Sequence, residues 1–377
     1  MNPRGTTRLE FLGRSVAVGA AAALPGLVTP ASARADAVPP SAARGLGPYP
    51  PSSLLHGAHW DFAGLLRFAH GSDLWPVTWA ADDNLYTGWG DGGGFGGTNV
   101  EGRASLGFSR MNENPVQLGR YRSRGGVNVW GGRDAENPAQ FIGKPLAMLS
   151  VGGVLYCWIW DQSGAYPADQ VLIASTDRGA HWNRVSDFVL PEAGFIPTAL
   201  LNFGRDYAGA RDGYVYLYGG SATYDHLTLA RVPKDRLAQR DAYEWFAGET
   251  IGRTVLTAWS REIEDRTPVF RDSNGVNGAA VSFNAGIGRY LLTTQHSRVA
   301  AVEGFGLFEA PAPWGPWATV SYESDWGGLS SLATEESLGY VLPTKWMSAD
   351  GLTVWCIFSS TGILDSLNIV KGTLVPR

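Results

Sequence analysis

Asp73 and Asp91 bracket the run Leu74-Trp-Pro-Val-Thr-Trp-Ala-Ala-Asp-Asp-Asn-Leu-Tyr-Thr-Gly-Trp-Gly90, and their midpoint is Asp82. The Asp82-Asp83-Asn84 cluster favours a tight turn, because short polar side chains hydrogen-bond their own backbone there. A hairpin folded about that turn carries both aspartates to its open end, where cross-strand Cβ atoms stand about 4.5–5.5 Å apart. Two carboxyl groups so placed suit glycoside hydrolysis: one protonates the leaving oxygen while the other attacks the anomeric carbon or activates water. A carboxyl separation of about 5–5.5 Å would imply retention and about 6.5–9.5 Å inversion. A slip of one residue turns the facing over. The alternative is a pair of solvated loop aspartates.

Further polar residues stand where a first strand enters or a second strand leaves a similar hairpin: Lys144, Arg205, Asp206, Tyr207, Asn277, Gln295 and His296. Asp206 reads either as a third acid or as a brace paired with Arg205 or Lys144. His296 reads as a holder of a hydrated axial cation or as a plain hydrogen-bonding residue. No motif requires a cofactor, and an axial Ca²⁺ has no ligand motif behind it. Trp75, Trp89 and Trp130 offer faces on which a sugar can stack, although most tryptophans must be core. Gly88-Trp-Gly-Asp-Gly-Gly93 satisfies G-x-G-x-x-G, yet no helix pattern follows it, so a dinucleotide site is not expected. Gly92–Gly97 reads as backbone kept slim beside a ligand, or as a flap.

These residues need elements to hold them, and a repeat supplies them. Five segments share a strand, a tight turn and an aromatic-rich strand: Val77–Tyr86, Ala147–Tyr156, Ala208–Tyr216, Val281–Tyr290 and Thr344–Val354. Aligned on Tyr86, Tyr156, Tyr216, Tyr290 and Val354 they recur at intervals of 70, 60, 74 and 64 residues, each long enough for the four strands of a propeller blade. Third strands follow at Val171–Ser175, Leu227–Arg231 and Gly306–Glu309. Ser175-x-Asp177-x-Gly179-x-x-Trp182 matches an Asp box, a turn brace that packs its Trp between sheets. The last blade runs out of chain for a fourth strand. The expected fold is therefore all-β, a single five-bladed propeller over 56–377, with a segment within Trp60–Phe68 closing the ring and removing the exposed edge.

Composition agrees with that class. Of 377 residues 44% are hydrophobic and 17% charged, with 49 Gly, 22 Pro, 15 Trp, 14 Tyr and 15 Phe, which excludes disorder, collagen and coiled coil. Lysine occurs only at 144, 234, 345 and 371, and no basic run exists, so nucleic acid is not an expected partner. Residues 1–35 combine Arg4, Arg8 and Arg14, an apolar stretch from Val16 to Val28 and A-x-A sites, the pattern of a secretory signal peptide with twin-arginine-like features. Its removal takes the formal charge from −5 to −8. Residues 36–55 read as a Pro/Ala/Ser-rich linker. The mature chain is expected outside the cytoplasm, secreted or at the cell surface, as a monomer without membrane insertion. Cys157 and Cys356 lie in strands of non-adjacent units, which favours two buried thiols over a disulfide.

Trp75–Gly93, Asn202–Asp212, Ala230–Arg236 and Ala312–Trp317 resemble a bacterial family known as domain of unknown function 4185, with the blade-one run the most specific. Some members are endo-D-arabinanases. The resemblance covers nearly all of the mature chain and implies a five-bladed propeller shaped like arabinanases and fructosidases, with Asp73 and Asp91 as the acidic pair. The leading expectation is a secreted glycosidase acting on arabinan or another furanosidic polysaccharide. Its rivals are a non-catalytic carbohydrate-binding propeller, served by the Trp- and Gly-rich mouth, and a polysaccharide lyase using Lys144, Arg205 or Tyr207 to neutralise a uronate and abstract a proton.

Overall fold

Short runs rich in Val, Ile, Tyr, Phe and Trp, divided by Gly, Asp and Asn, satisfy their backbone groups by pairing with sequence neighbours. The computed structural model describes residues 47–112, 114–120, 125–163, 170–185, 194–252, 254–296, 304–327, 337–360 and 366–377. The expected signal peptide and most of the expected linker lie outside the described residues.

The first strand, β1 (Leu55–Phe68), is set aside for ring closure. Blade one is β2 (Val77–Trp79), β3 (Leu85–Gly90), β4 (Leu106–Met111) and β5 (Val127–Trp130), with a short helix α1 (Pro115–Arg120) before its last strand. Blade two is β6 (Gly143–Val151), β7 (Val154–Asp161), β8 (Gln170–Ser175) and β9 (Asn183–Arg184). Blade three is elaborated: β10 (Ile196–Leu200), β11 (Tyr214–Gly220), β12 (His226–Pro233) and β13 (Glu244–Phe246) are followed by a separate hairpin of β14 (Glu249–Ile251) and β15 (Thr254–Leu256). The short strands β16 (Trp259–Ser260) and β17 (Pro268–Arg271) then return to pair with β13 and β12. Blade four is β18 (Gly278–Asn284), β19 (Arg289–His296), β20 (Gly304–Ala310) and β21 (Ala318–Glu323). Blade five takes β22 (Ser337–Val341), β23 (Thr353–Ser360) and β24 (Leu367–Pro376) from the C-terminus and β1 from the N-terminus.

The propeller and its N-terminal closure are as expected, and all five alignment residues sit in second strands. The closing strand is longer than expected, pairing with β24 from Leu55↔Pro376 to Phe68↔Leu367. It also packs Trp60 edge-on against Phe305 and Trp326 of blade four, with ring centroids 5.5 and 5.2 Å away. Residues ahead of it run along blade four and reach blade three: Ser52 Oγ donates to Glu309 Oε1 at 2.8 Å, and Tyr49 lies against Phe308 of blade four and Phe270 of blade three.

Apolar faces meet between blades. The Asp box forms, with Ser175 Oγ donating to Asp177 Oδ1 at 2.9 Å and accepting from Gly179 N at 2.8 Å. Its Trp182 stacks on Phe108 of blade one at 3.9 Å. Cys157 and Cys356 are free and buried in blades two and five, and burial pushes both thiols up.

Polar side chains stitch the inner strands near the axis. Thr78 Oγ1 donates to Asn202 Oδ1 and accepts from Ser150 N, both at 2.8 Å, which joins blades one, three and two. The backbone of Asn202 continues to blade four, its N–H donating to Val281 O at 3.1 Å and its carbonyl accepting from Phe283 N at 2.9 Å. Ser282 Oγ then donates to Leu342 O beside blade five at 2.7 Å.

Candidate active site at the mouth of blade one

The inner rungs of blade one pair symmetrically about residue 82, Val77↔Thr87, Thr78↔Tyr86 and Trp79↔Leu85. Beyond them the register slips by one, and Asp73 pairs with Gly90 through two backbone hydrogen bonds of 2.9 Å. The slip falls where Leu74 and Trp75 take positive φ of 77° and 55°. Asp91 follows at φ 45°. Three residues with side chains held in a sparsely populated backbone region within one hairpin mouth are the kind of local strain that surrounding structure must impose, and such strain clusters at functional sites.

The slip places Asp91 one residue past the rung of Asp73 and brings a third charged group to the pair. An ideal Cβ at Gly90 would lie 2.6 Å from Asp73 Oδ1 and 2.9 Å from Lys144 Cδ, so the lysine stem and the Asp73 carboxylate converge above a residue that has no side chain. Lys144 Nζ reaches across from blade two to Asp91 Oδ1 at 2.6 Å and also donates to Ser105 O at 3.2 Å. Arg103 Nη2 meets the same Asp91 oxygen at 2.9 Å. Arg103 and Ser105 were not among the residues expected here. The nearest sequence signal was the basic residue in Gly102-Arg103-Ala104-Ser105, which directly precedes β4.

The glycine-rich loop is built differently from expectation. Gly94, Gly107 and Gly132 surround the indole of Trp89, where a Cβ at any of them would lie 2.1–2.7 Å from ring atoms. Trp89 Nε1 donates to Ser109 Oγ at 2.8 Å, and Ser109 Oγ donates to Asn128 Oδ1 at 2.9 Å. Asn128 holds the loop from both ends, accepting from Phe95 N at 2.9 Å and donating to Gly93 O at 2.8 Å and Arg133 O at 2.7 Å. The glycines are slim to admit a tryptophan. Trp75 and Trp89 are both 0% exposed and Trp130 3%, so none offers a face to a sugar.

Arg205, Asp206 and Tyr207 are at the opposite end of the ring. They were expected at the mouth because Ala208–Ala210 resembled a first strand. The first strand is instead β10, and residues 201–213 form its long turn. Arg205 Nε donates to Ala81 O in the blade-one turn at 3.0 Å, and Asp206 accepts from Ser150 Oγ at 2.7 Å and Gly153 N at 3.0–3.1 Å in blade two. Tyr207 is buried, with its OH donating to Tyr214 O at 3.0 Å. We expect Asp206→Ala to lower stability by roughly 1–2 kcal/mol through lost charge-assisted hydrogen bonds. Glycan turnover should stay within about threefold of the parent, whereas a catalytic acid would contribute about 10²–10⁴-fold. Paired denaturation and rate measurements check this.

Asn277, Gln295 and His296 do lie at the mouth end, on blade four. Asn277 N donates to Gln295 O at 2.9 Å, and Gln295 pairs with Gly278. His296 turns instead into a side cavity of about 340 Å³ lined by Pro48, Asp272, Ser273, Asn274, Tyr322 and Ser324. Its ring stacks on Tyr322 at 3.8 Å, and Asn274 Nδ2 lies 3.2 Å from its Nδ1. Burial pushes the His296 imidazole down, only partly opposed by the charge of Asp272. The unfolded chain therefore takes up a proton near pH 6.5 that the native ring refuses, and this contribution to stability is lost as pH falls below that value. His296→Gln should flatten the fall in denaturation midpoint between pH 7 and 5.5; an unchanged pH dependence would count against a neutral buried ring. Among the described residues, no group of three or more His, Cys, Asp or Glu forms a metal site, and no helix is long and apolar enough to cross a membrane.

The profile of the family described as Domain of unknown function (DUF4185) matches residues 129–358, a span that begins after Asp73 and Asp91. Among solved structures, a Bacteroides ovatus protein provisionally described as a hydrolase aligns with TM-score 0.51 at 11% identity, over 81% of this chain and 87% of its own. The α-L-arabinofuranosidase PaAbf62A from Podospora anserina aligns with TM-score 0.48 at 11% identity, over 85% and 99%. An endo-arabinase from Bacteroides thetaiotaomicron aligns with TM-score 0.45 at 11% identity, over 82% and 94%. At these identities the likeness is one of fold. No curated protein matches the sequence.

Proposed function

We propose that this chain, which belongs to the family described as domain of unknown function 4185, is a glycosidase that hydrolyses a polysaccharide, with furanosidic arabinan as its first candidate substrate. The observation that carries the reading is the convergence of Asp73, Asp91 and Lys144 at the strained mouth of blade one. Two carboxyl groups at one mouth supply a proton to the glycosidic oxygen and electrons to the anomeric carbon, directly or through a water. Arabinan as substrate is supported by the blade-one motif's resemblance, since a shared fold by itself names no substrate. The basic and apolar N-terminus supports action outside the cytoplasm, where such polymers are met.

Most of the residues behind the rival readings are not at the mouth. Trp75 and Trp89, which favoured a binding module, are core; of Lys144, Arg205 and Tyr207, named for a lyase, the last two are at the other end of the ring and Lys144 stays at the mouth with its ammonium on Asp91. The test is release of reducing ends by the purified protein from D-arabinan, L-arabinan, arabinoxylan and xylan. We expect release from an arabinan. Unsaturated product ends, or no product from any of the four, would reject the proposal.

A further inference from the structure

We infer that Lys144 is a positioning residue for Asp91 and that, with Arg103, it makes Asp91 the carboxylate that acts at the anomeric carbon, leaving proton donation to Asp73. The assignment rests on the glycosidase reading above. The Lys144 side chain is only 6% exposed, so its ammonium is held rather than free to wander in solvent. Its stem lies over Gly90, and Ser105 O takes a second of its three protons. Ser105 is fixed in turn, with Oγ accepting from Gly143 N at 2.7 Å and donating to Gly143 O at 2.9 Å. The clamp therefore spans the seam between blades one and two.

Both cations bind one oxygen of Asp91, Oδ1, at 2.6 and 2.9 Å. An oxygen taking two charge-assisted hydrogen bonds is an acceptor fixed in direction, and its partner Oδ2 is set by the same geometry. A carboxyl group that must arrive carrying a proton gains nothing from two cations on it. A group that must present electrons in one direction gains orientation. In the bond-breaking step the Asp73 proton passes to the glycosidic oxygen as the anomeric C–O bond breaks. The Asp91 carboxylate forms the new bond to that carbon, or takes a proton from the water that does so. One water is consumed overall.

The test uses the intact protein on aryl arabinofuranosides and aryl arabino-oligosaccharides whose leaving groups run from phenol to dinitrophenol, together with arabinan. Asp73→Asn should lose most activity on arabinan and phenyl glycosides, yet return to within about 10-fold of the parent on dinitrophenyl glycosides, which need no protonation. Asp91→Asn and Lys144→Met should lose activity across the whole series. For Lys144→Met we expect roughly a 100-fold fall in kcat with KM within a few-fold, as a misplaced reacting group gives. Lys144→Arg, which keeps the charge and the fold, should recover part of it. Recovery on dinitrophenyl glycosides by Asp91→Asn instead of Asp73→Asn would overturn the assignment, as would a folded Lys144→Met with parental kcat. If the parent cleaves neither arabinan nor any aryl glycoside, it is the glycosidase reading that fails.

Discussion

Asp73→Asn and Asp91→Asn should each lower kcat on the polysaccharide by at least roughly 1,000-fold, because each removes one half of the proposed acid–base pair while preserving side-chain volume. Their stabilities should differ. Asp91→Asn strips the counter-charge from Lys144, whose side chain is buried, and from the more exposed Arg103. Breaking a fully buried pair costs about 3–5 kcal/mol, and the partial exposure of Asp91 and Arg103 lowers the expectation here to about 1–3 kcal/mol. Rates from reducing-end assays and stabilities from denaturant titration on the same preparations separate the two effects. Full activity in either folded variant contradicts the paired-carboxylate site.

The largest effect on stability is expected from Trp89→Ala. The indole is 0% exposed, enclosed by Gly94, Gly107 and Gly132, and tied through Ser109 to Asn128. Truncating a buried tryptophan costs about 3–5 kcal/mol, since the cavity cannot collapse fully. Here the glycines are on backbone that other hydrogen bonds already hold, which places the change at the upper end of that range. Activity should fall too, because the same loop runs from Gly92 toward Arg103 and the Asp91 clamp. Trp89→Phe keeps much of the apolar contact but loses the indole N–H, and should cost less than half as much. A denaturation midpoint for Trp89→Ala near that of the parent would contradict this account of the glycine-rich loop.

Much of the fold was legible because second and third strands carry their own signals. Tyr86, Tyr156 and Tyr290 follow short, well-marked turns, and the Asp box names its own hairpin. The first strands of blades three and five were harder to read. Their inner hairpins are joined by long turns, 201–213 and 342–352, that contain short 3-10 segments around Arg205–Tyr207 and Thr344–Trp346. Nearby small or aromatic residues imitate a strand. Read as a strand, Ala208–Ala210 would put Arg205, Asp206 and Tyr207 at the mouth, whereas they sit at the other end of the ring.

The candidate site was legible in its two aspartates and in Lys144, since hairpin symmetry and strand entrances are properties of spacing. The register slip at Leu74 and Trp75 was not, because positive φ at a leucine and a tryptophan is imposed by tertiary structure rather than by residue type. The same holds for the tryptophans. Whether Trp75 and Trp89 face a ligand or a neighbouring strand depends on what surrounds them, and the clue lay in the glycines at 94, 107 and 132, far apart in sequence and together in space.

The most direct measurement is a crystal structure of Asp91→Asn with an arabino-oligosaccharide bound. The expected result is a glycosidic oxygen within about 3 Å of an Asp73 carboxyl oxygen, with the adjoining anomeric carbon facing residue 91 at the mouth of blade one. A saccharide bound instead beside Asp206, or in the cavity at His296, with no sugar at Asp73 would contradict it.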